Sequence, residues 1–305
     1  MSSPQKLSVI IVSYNTREMT TECLRTLWPE LKGIPAEVLV VDNASGDGSA
    51  DAIRKEFPEV RLIVNETNIG FGAASNQALA RAQGEFLLLL NSDAFPQPGA
   101  VRTLLQYIEG KPEVGVVGPR LLNPSGTLQV SCFRFPSPGY AWLENLWLSK
   151  GYRGWGHDTV RQVDFVVGAC MLARREAFER VGGFDERFFM YSEETDWQRR
   201  IRDAGWEIVF VPDSRFVHLG AGSGGRASTR LNRHFFESLD AYVRKHHGII
   251  GLISLRAAMV VGCLTRAVGW TVSALLPKRR HLALGKARHH ARLVVRQVFH
   301  WPVGR

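Results

Sequence analysis

The chain has 305 residues, 45% of them hydrophobic and 22% charged, which is the composition of an ordinary globular protein with room for one large domain or two. Cys23, Cys132, Cys170 and Cys263 show no paired spacing, which argues against a zinc site or disulfide framework and fits a reducing compartment. The formal charge of +9 belongs to the tail: twelve of the 38 Lys and Arg lie in 241–305, which has no Asp or Glu, while the rest of the chain carries 26 basic and 29 acidic residues.

The N-terminus, residues 1–6, is polar, has no signal-peptide pattern and leads directly into a β-rich apolar run over 7–13. A helix is expected at about 18–32, a second strand at 36–41, and then a loop, 42–49, dense in turn formers and helix caps. A helix over 51–57, a strand over 60–64 and a helix opening at Asn68-Ile69-Gly70-Phe71-Gly72 and reaching Ala82 follow. The run Phe86-Leu87-Leu88-Leu89-Leu90 stops abruptly at Asn91-Ser92-Asp93, as a strand buried on both faces does. This strand–helix alternation indicates an α/β fold with a mostly parallel sheet. Beyond it the sequence predicts a helix over 100–109, a strand over 114–119, a turn at Ser125-Gly126 and an extended stretch over 128–133. The stretch 135–161, rich in Pro, Gly and aromatics, reads as an irregular loop. A long strand over 163–173, interrupted at Gly168, precedes helices over 174–181 and 193–204 and a last strand over 207–211, with His218 just beyond.

Ligands of open α/β sheets sit outside the carboxyl ends of the strands, so the residues there carry the candidate chemistry. The loop Ser13-Tyr14-Asn15-Thr16 lacks the Gly-x-Gly-x-x-Gly of a dinucleotide fold, and there is no Walker A loop, so any nucleotide is held differently. Asp42 can accept from a base N–H or a ribose hydroxyl, or can cap a turn; Asn68, Gly70 and Asn76 have the same double reading. Asp93 reads equally as a helix cap and as a ligand holding a divalent cation against phosphate. The cluster Glu193-Glu194-Thr195-Asp196 follows the aromatic run Phe188-Phe189-Met190-Tyr191; it is either acidic charge at a helix start or a carboxylate poised as general base. His218 is structural, or pairs with Asp93 on a metal.

Together these stretches resemble the family 2 glycosyltransferases of the GT-A fold, in particular a rhamnosyltransferase-like branch. The resemblance rests on Val9-Ile10-Ile11-Val12-Ser13-Tyr14-Asn15, Val40-Val41-Asp42-Asn43-Ala44-Ser45, Asn68-Ile69-Gly70-Phe71, Leu89-Leu90-Asn91-Ser92-Asp93-Ala94, Gly168-Ala169-Cys170-Met171-Leu172 and Gly182-Gly183-Phe184-Asp185, continuing into the acidic cluster. It covers roughly residues 6–225, and the order and spacing of the motifs are more specific than any one of them. The resemblance implies a GT-A sheet, a nucleoside diphosphate sugar donor, Mg²⁺ or Mn²⁺, and inversion at the anomeric carbon. By position it implies that Ser13, Tyr14, Asn15, Asp42, Asn68, Gly70, Asn76, Asn91 and Ser92 bind the nucleotide sugar, that Asp93 and His218 ligate the metal, that Glu194 is the base, and that Glu193 and Asp196 orient acceptor or base. Two positions depart from the family pattern: Asn91 occupies the first acidic position of Asp-x-Asp, and Glu194 stands where the family has Asp.

The reading is of a catalytic domain over 1–240 and a basic, apolar helical tail over 241–305. Residues 257–276 are nearly long enough to span a bilayer and carry one charge, Arg266. Basic residues around them favour an anionic membrane on its cytoplasmic side, at the inner membrane of a bacterium, through an interfacial helix ahead of a true span. A helix buried on the domain is the alternative; the apolar share argues against nucleic acid. The acceptor expected is a glycan or lipid-linked sugar in cell-surface polysaccharide synthesis. A processive synthase would carry Gln-x-x-Arg-Trp, which Trp197-Gln198-Arg199-Arg200-Ile201 does not match, and a catalytically silent scaffold would not need Asp93, Glu194 and His218.

Overall fold

The computed structural model describes residues 5–146, 155–220, 229–275 and 280–299. In chain order the first half runs β1 (Leu7–Ser13), α1 (Arg17–Glu30), β2 (Ala36–Asp42), α2 (Ser49–Glu56), β3 (Arg61–Val64), α3 (Phe71–Leu79), β4 (Phe86–Asn91), β5 (Ala94–Pro96), α4 (Ala100–Glu109) and β6 (Val114–Leu122). It continues with β7 (Leu128–Gln129), β8 (Cys132–Phe133), α5 (Pro138–Asn145), β9 (Arg161–Gln162), β10 (Phe165–Val166), β11 (Cys170–Arg174), α6 (Arg175–Val181), α7 (Glu193–Asp203), β12 (Glu207–His218), α8 (Thr229–Ser273) and α9 (Arg280–Phe299).

The main sheet has the order β3-β2-β1-β4-β11-β6-β12-β5, with β7 on β6 and β9 on β12. Strands β3, β2, β1 and β4 are mutually parallel, as are β6 and β12; β11 is inserted antiparallel between β4 and β6. Period-two burial explains why β4 is apolar throughout. Phe86, Leu88 and Leu90 join Leu7, Val9 and Ile11 of β1 against Leu24 and Leu27 of α1, while Leu87 and Leu89 are buried on the opposite face.

The expected strand over 163–173 is broken into β10 and β11, because residues around Gly168 turn to meet α7. β12 outlasts its expected end at Val211 by seven residues, reaching His218. It pairs with β6 through an irregularity between Val211 and Arg215 and then takes β5 on its other edge. The stretch expected to be an irregular loop holds α5, whose N-cap Ser137 accepts from the Tyr140 N–H at 3.3 Å with Pro138 at the first helical position. Residues 147–154, with Trp147, and the tail's Trp301 lie outside the described residues.

The chain divides into two compact units, Met1–Phe135 with Trp155–Ser238 and Pro136–Gly154 with Leu239–Arg305. The second unit therefore holds α5 as well as the tail. Within it, α8 breaks at Gly248 (φ 68°).

Candidate active site

Register brings the first candidate residues to one edge. Ser13 pairs with Asp42 and Val12 with Asn91, so β1, β2 and β4 end side by side. The Ser13 hydroxyl is fully buried, 2.9 Å from Thr20 and 3.1 Å from Thr16, and Thr16 in turn is 3.1 Å from the Ser92 hydroxyl. The side chains of Ser13 and Ser92 thus fasten the loop beneath the edge. Asn15, at φ 53°, accepts the Gly46 N–H on Oδ1 at 2.8 Å and donates its own N–H to Ser45 Oγ at 2.9 Å, which zips the first loop to the second. Tyr14 stands half-buried beside it.

The centre of this edge is a residue that sequence reasoning placed in a motif and gave no role, Asn43. Its Nδ2 donates to Asn68 Oδ1 at 2.9 Å and to the Gly70 carbonyl; its Oδ1 accepts from Asn65 Nδ2 and the Ile69 N–H. One buried amide thus ties two loops, its own and 65–70. Next to it, Asp42 Oδ1 accepts the Ser45 N–H at 2.9 Å, while Oδ2 is buried with no protein partner. A buried carboxylate oxygen without a donor is costly, and its orientation at a strand end suits an incoming N–H or hydroxyl. Gly70 is required as glycine, at φ 88° with the Phe189 carbonyl 2.6 Å from where a Cβ would sit.

Asn76 is not part of this edge. Its side chain clasps Phe184, accepting the N–H at 2.8 Å and donating to the carbonyl at 2.9 Å, and donates to Glu186.

Asp93 and His218 meet through strand pairing 125 residues apart in sequence. β5 lies antiparallel to the end of β12 with Ala94 opposite His218, and the Leu219 N–H donates to the Asp93 carbonyl at 3.0 Å. His218 Nε2 is 3.3 Å from Asp93 Oδ1. The other imidazole nitrogen, Nδ1, lies 2.6 Å from Gln129 Oε1, an acceptor, so the Nδ1–H tautomer satisfies that contact and would leave the Nε2 lone pair for a cation held together with Asp93. That tautomer fits a divalent cation, and the spacing is that of neighbouring ligands in an octahedral shell, about 3 Å. Among the described residues no third His, Cys, Asp or Glu joins the pair. Gln129, on β7, had no signal in the sequence. From α1, the buried Cys23 thiol donates to the carbonyl of Ala94 at 3.3 Å; burial, then the Asp93 charge, push its pKa up.

The acidic helix α7 starts from strained backbone: Tyr191 and Ser192 sit consecutively at φ 70° and 65°. Burial, then the Glu194 charge, drive the Glu193 carboxyl well above the usual range. Burial raises that of Glu194, against hydrogen bonds from backbone N–H groups including that of Gly168. Oε2 of each is buried with no protein partner. Gly168 permits this packing, since a Cβ there would stand 3.1 Å from Glu194 Cγ. Gln198 locks the helix down, bonding both the N–H and the carbonyl of Val166. Asp196 does not join the two glutamates. It is fully buried and pairs with Arg200 at 3.0 Å, which also holds the carbonyls of Val181 and Gly183. That pairing helps hold the turn before Phe184.

The two halves are adjacent. The Asn91 N–H donates to the Ala169 carbonyl at 2.9 Å, and the next residue, Gly168, touches Glu194. A buried, proton-hungry carboxylate thus stands beside the strand end that leads into Asp93.

Comparison with known proteins agrees with this geometry. A sequence model described as Glycosyl transferase family 2 matches residues 8–182. The chain is 31% identical over 285 residues to an N-acetylglucosaminyl-diphospho-decaprenol L-rhamnosyltransferase of Mycobacterium tuberculosis, covering 84% of this chain and 90% of that protein. It is 30% identical to the O-antigen biosynthesis protein RfbC of Myxococcus xanthus over 78% of this chain and 19% of that one. Among solved structures it resembles the mannosyltransferase PcManGT of Pyrobaculum calidifontis in complex with GDP-Man and Mn²⁺, with a TM-score of 0.59, 19% identity, and 98% of this chain and 90% of that one covered. It also resembles GalNAc-T7 with UDP, GalNAc and Mn²⁺, with a TM-score of 0.57 and 17% identity over 82% of this chain and 52% of that one.

Proposed function

This chain belongs to glycosyl transferase family 2, and from that premise we propose that it transfers L-rhamnose, with inversion, from a nucleoside diphosphate to a hydroxyl of a lipid-linked N-acetylglucosaminyl diphosphate. Donor and acceptor chemistry follow the relative that matches most of both chains. The observation that carries the catalytic reading is the Glu194 carboxyl, raised in pKa, one oxygen without a protein partner, beside the edge that ends in Asp93.

In this mechanism the loops tied by Asn43 hold the base and ribose, and Asp42 Oδ2 accepts a hydrogen bond from one of them. Asp93 Oδ1 and His218 Nε2 would hold a divalent cation, Mg²⁺ or Mn²⁺, with Gln129 fixing the imidazole. Bound there, such a cation would offset the charge growing on the departing diphosphate. Glu194 removes the proton from the acceptor hydroxyl. The oxygen forms its bond to the anomeric carbon on the face opposite the diphosphate, the bond from that carbon to the phosphate oxygen breaks, and the nucleoside diphosphate leaves. Burial keeps the base's proton affinity high, and the Glu194 charge in turn helps drive the Glu193 carboxyl up. Because the acceptor carries a lipid, the basic, apolar tail meets an anionic membrane surface, on the cytoplasmic face of the bacterial inner membrane.

The test is transfer by the purified chain, followed by mass spectrometry of a polyprenyl-diphospho-N-acetylglucosamine acceptor, with a thermal-shift screen of nucleoside diphosphate sugars with and without Mg²⁺ or Mn²⁺. A product heavier by one deoxyhexose is expected. Transfer of another sugar with rhamnose refused would overturn the donor assignment, and near-wild-type transfer by Glu194→Gln would overturn the base.

A further inference from the structure

Beyond the break at Gly248, helix α8 shows two unlike faces. Ile250, Ile253, Leu264, Val268, Val272 and Leu275 are about half exposed or more, with Ile250 and Leu275 at 80%. At 3.6 residues per turn these six fall within about 100° of arc, a stripe about 38 Å long with Ser254 and Thr271 on its edges. Between Ile249 and Leu275 the charged residues are Arg256 and Arg266, and both turn away from it. Arg256 is buried in an ion pair with Asp240 at 2.5 Å, and Arg266 donates to Asn145 Oδ1 at 2.8 Å. The helix packs on α5 along the side next to the stripe, where Trp142 Nε1 donates at 3.1 Å to Ser254 Oγ at the stripe's edge and Gly262 leaves no room for a Cβ beside Asn145.

Positive charge brackets the stripe. Arg244 and Lys245 are exposed just before the break, Lys278-Arg279-Arg280 follow Leu275 in the sequence, and Lys286, Arg288 and Arg292 are exposed on α9. Length and hydropathy alone would let this helix cross a bilayer. Its surroundings argue otherwise. A span would carry the Arg256–Asp240 pair, Asn145 and Trp142 into hydrocarbon along with it, whereas a helix lying along the surface immerses only the stripe and leaves these groups on the protein side.

We propose that α8 from Ile249 to Leu275 lies in the plane of an anionic bilayer, its stripe sunk into the acyl boundary and the flanking basic residues on lipid phosphates. This rests on the reading of the tail as membrane-binding and adds its orientation: the helix lies on the membrane and does not cross it.

The test uses the full chain with Cys263 replaced by Ala and single cysteines placed at Ile250, Ile253, Leu264, Val268 and Leu275, each carrying a nitroxide. The probe is vesicles of phosphatidylcholine, with and without an equal share of phosphatidylglycerol. Binding should need the anionic lipid, weaken with salt and reverse in carbonate. All five labels should report a similar shallow depth, about 5–10 Å into the boundary. Val268→Glu should cut vesicle partition about tenfold or more, because it returns one valine's worth of apolar burial, with the circular dichroism of the free chain unchanged. A depth profile that deepens to mid-bilayer and rises again, with carbonate-resistant binding, would overturn the flat orientation while leaving the membrane reading intact. No binding to anionic vesicles, or a stripe covered by a second copy of the chain at all concentrations, would overturn both.

Discussion

The loops joined by Asn43 and the start of the acidic helix differ in how their polar groups are satisfied. The Asn43 amide is saturated, its two donor and two acceptor contacts filled by Asn68, Gly70, Asn65 and Ile69, and beside it the one buried carboxylate oxygen left over is Asp42 Oδ2. At α7 two consecutive residues hold left-handed backbone, and two buried carboxylates each leave an oxygen unmatched. The first region is built for rigidity and the second stores unfavourable energy that a proton or a substrate relieves. Substitutions should therefore cost stability in the first and activity in the second.

The largest effect expected is that of Glu194→Gln, which keeps shape and removes the base. Turnover should fall about 10³-fold, with the donor-induced thermal shift unchanged. A fall in donor affinity instead would put Glu194 in the wrong half of the site. Asn43→Ala should act in the opposite sense. Several buried groups lose partners, so urea unfolding should show a loss of about 2–4 kcal/mol, and turnover should fall no further than the folded fraction and donor affinity explain. Between the halves, Gln129→Leu frees the imidazole to take the wrong tautomer, and half-activation by Mn²⁺ should need about 10–100 times more metal, at little cost in folding stability.

The smallest effect has a sign that separates the regions most clearly. Burial raises the folded pKa of Glu193 above its unfolded value, so its favourable contribution is full in acid and is lost as pH rises through the folded value. Glu193→Gln removes a charge that the folded state resists. Its melting temperature should exceed wild type at pH 8, by about 2–4 °C for each kcal/mol relieved, and the gap should close toward pH 5. Turnover should change little, because burial and not Glu193 raises the carboxyl of Glu194. Wild-type turnover should in turn rise with pH through a pKa above the ordinary glutamate range. A Glu193→Gln protein less stable than wild type at pH 8 would show that the pair is held by contacts stronger than the burial penalty.

The sequence by itself determined the parts of this protein that rest on local periodicity. β1 to β4 and the helices between them follow from apolar runs and turn formers, and the end of β4 at Asn91-Ser92-Asp93 announces an edge where ligands sit. The family was legible in the order of its motifs. Tertiary structure decided which polar residues were spent on the fold. Ser13, Ser92, Asn76 and Asp196 occupy motif positions, yet their side chains are consumed by Thr16 and Thr20, by Phe184 and by Arg200. Asn43 and Gln129 became important only through partners 22 to 89 residues away. A buried hydroxyl or amide bonds whichever group the packing brings within 3 Å or so, and that choice depends on strand register, which no local pattern encodes. The same holds for α8: its composition allows a span, and only the side chains buried behind it show which face is left exposed.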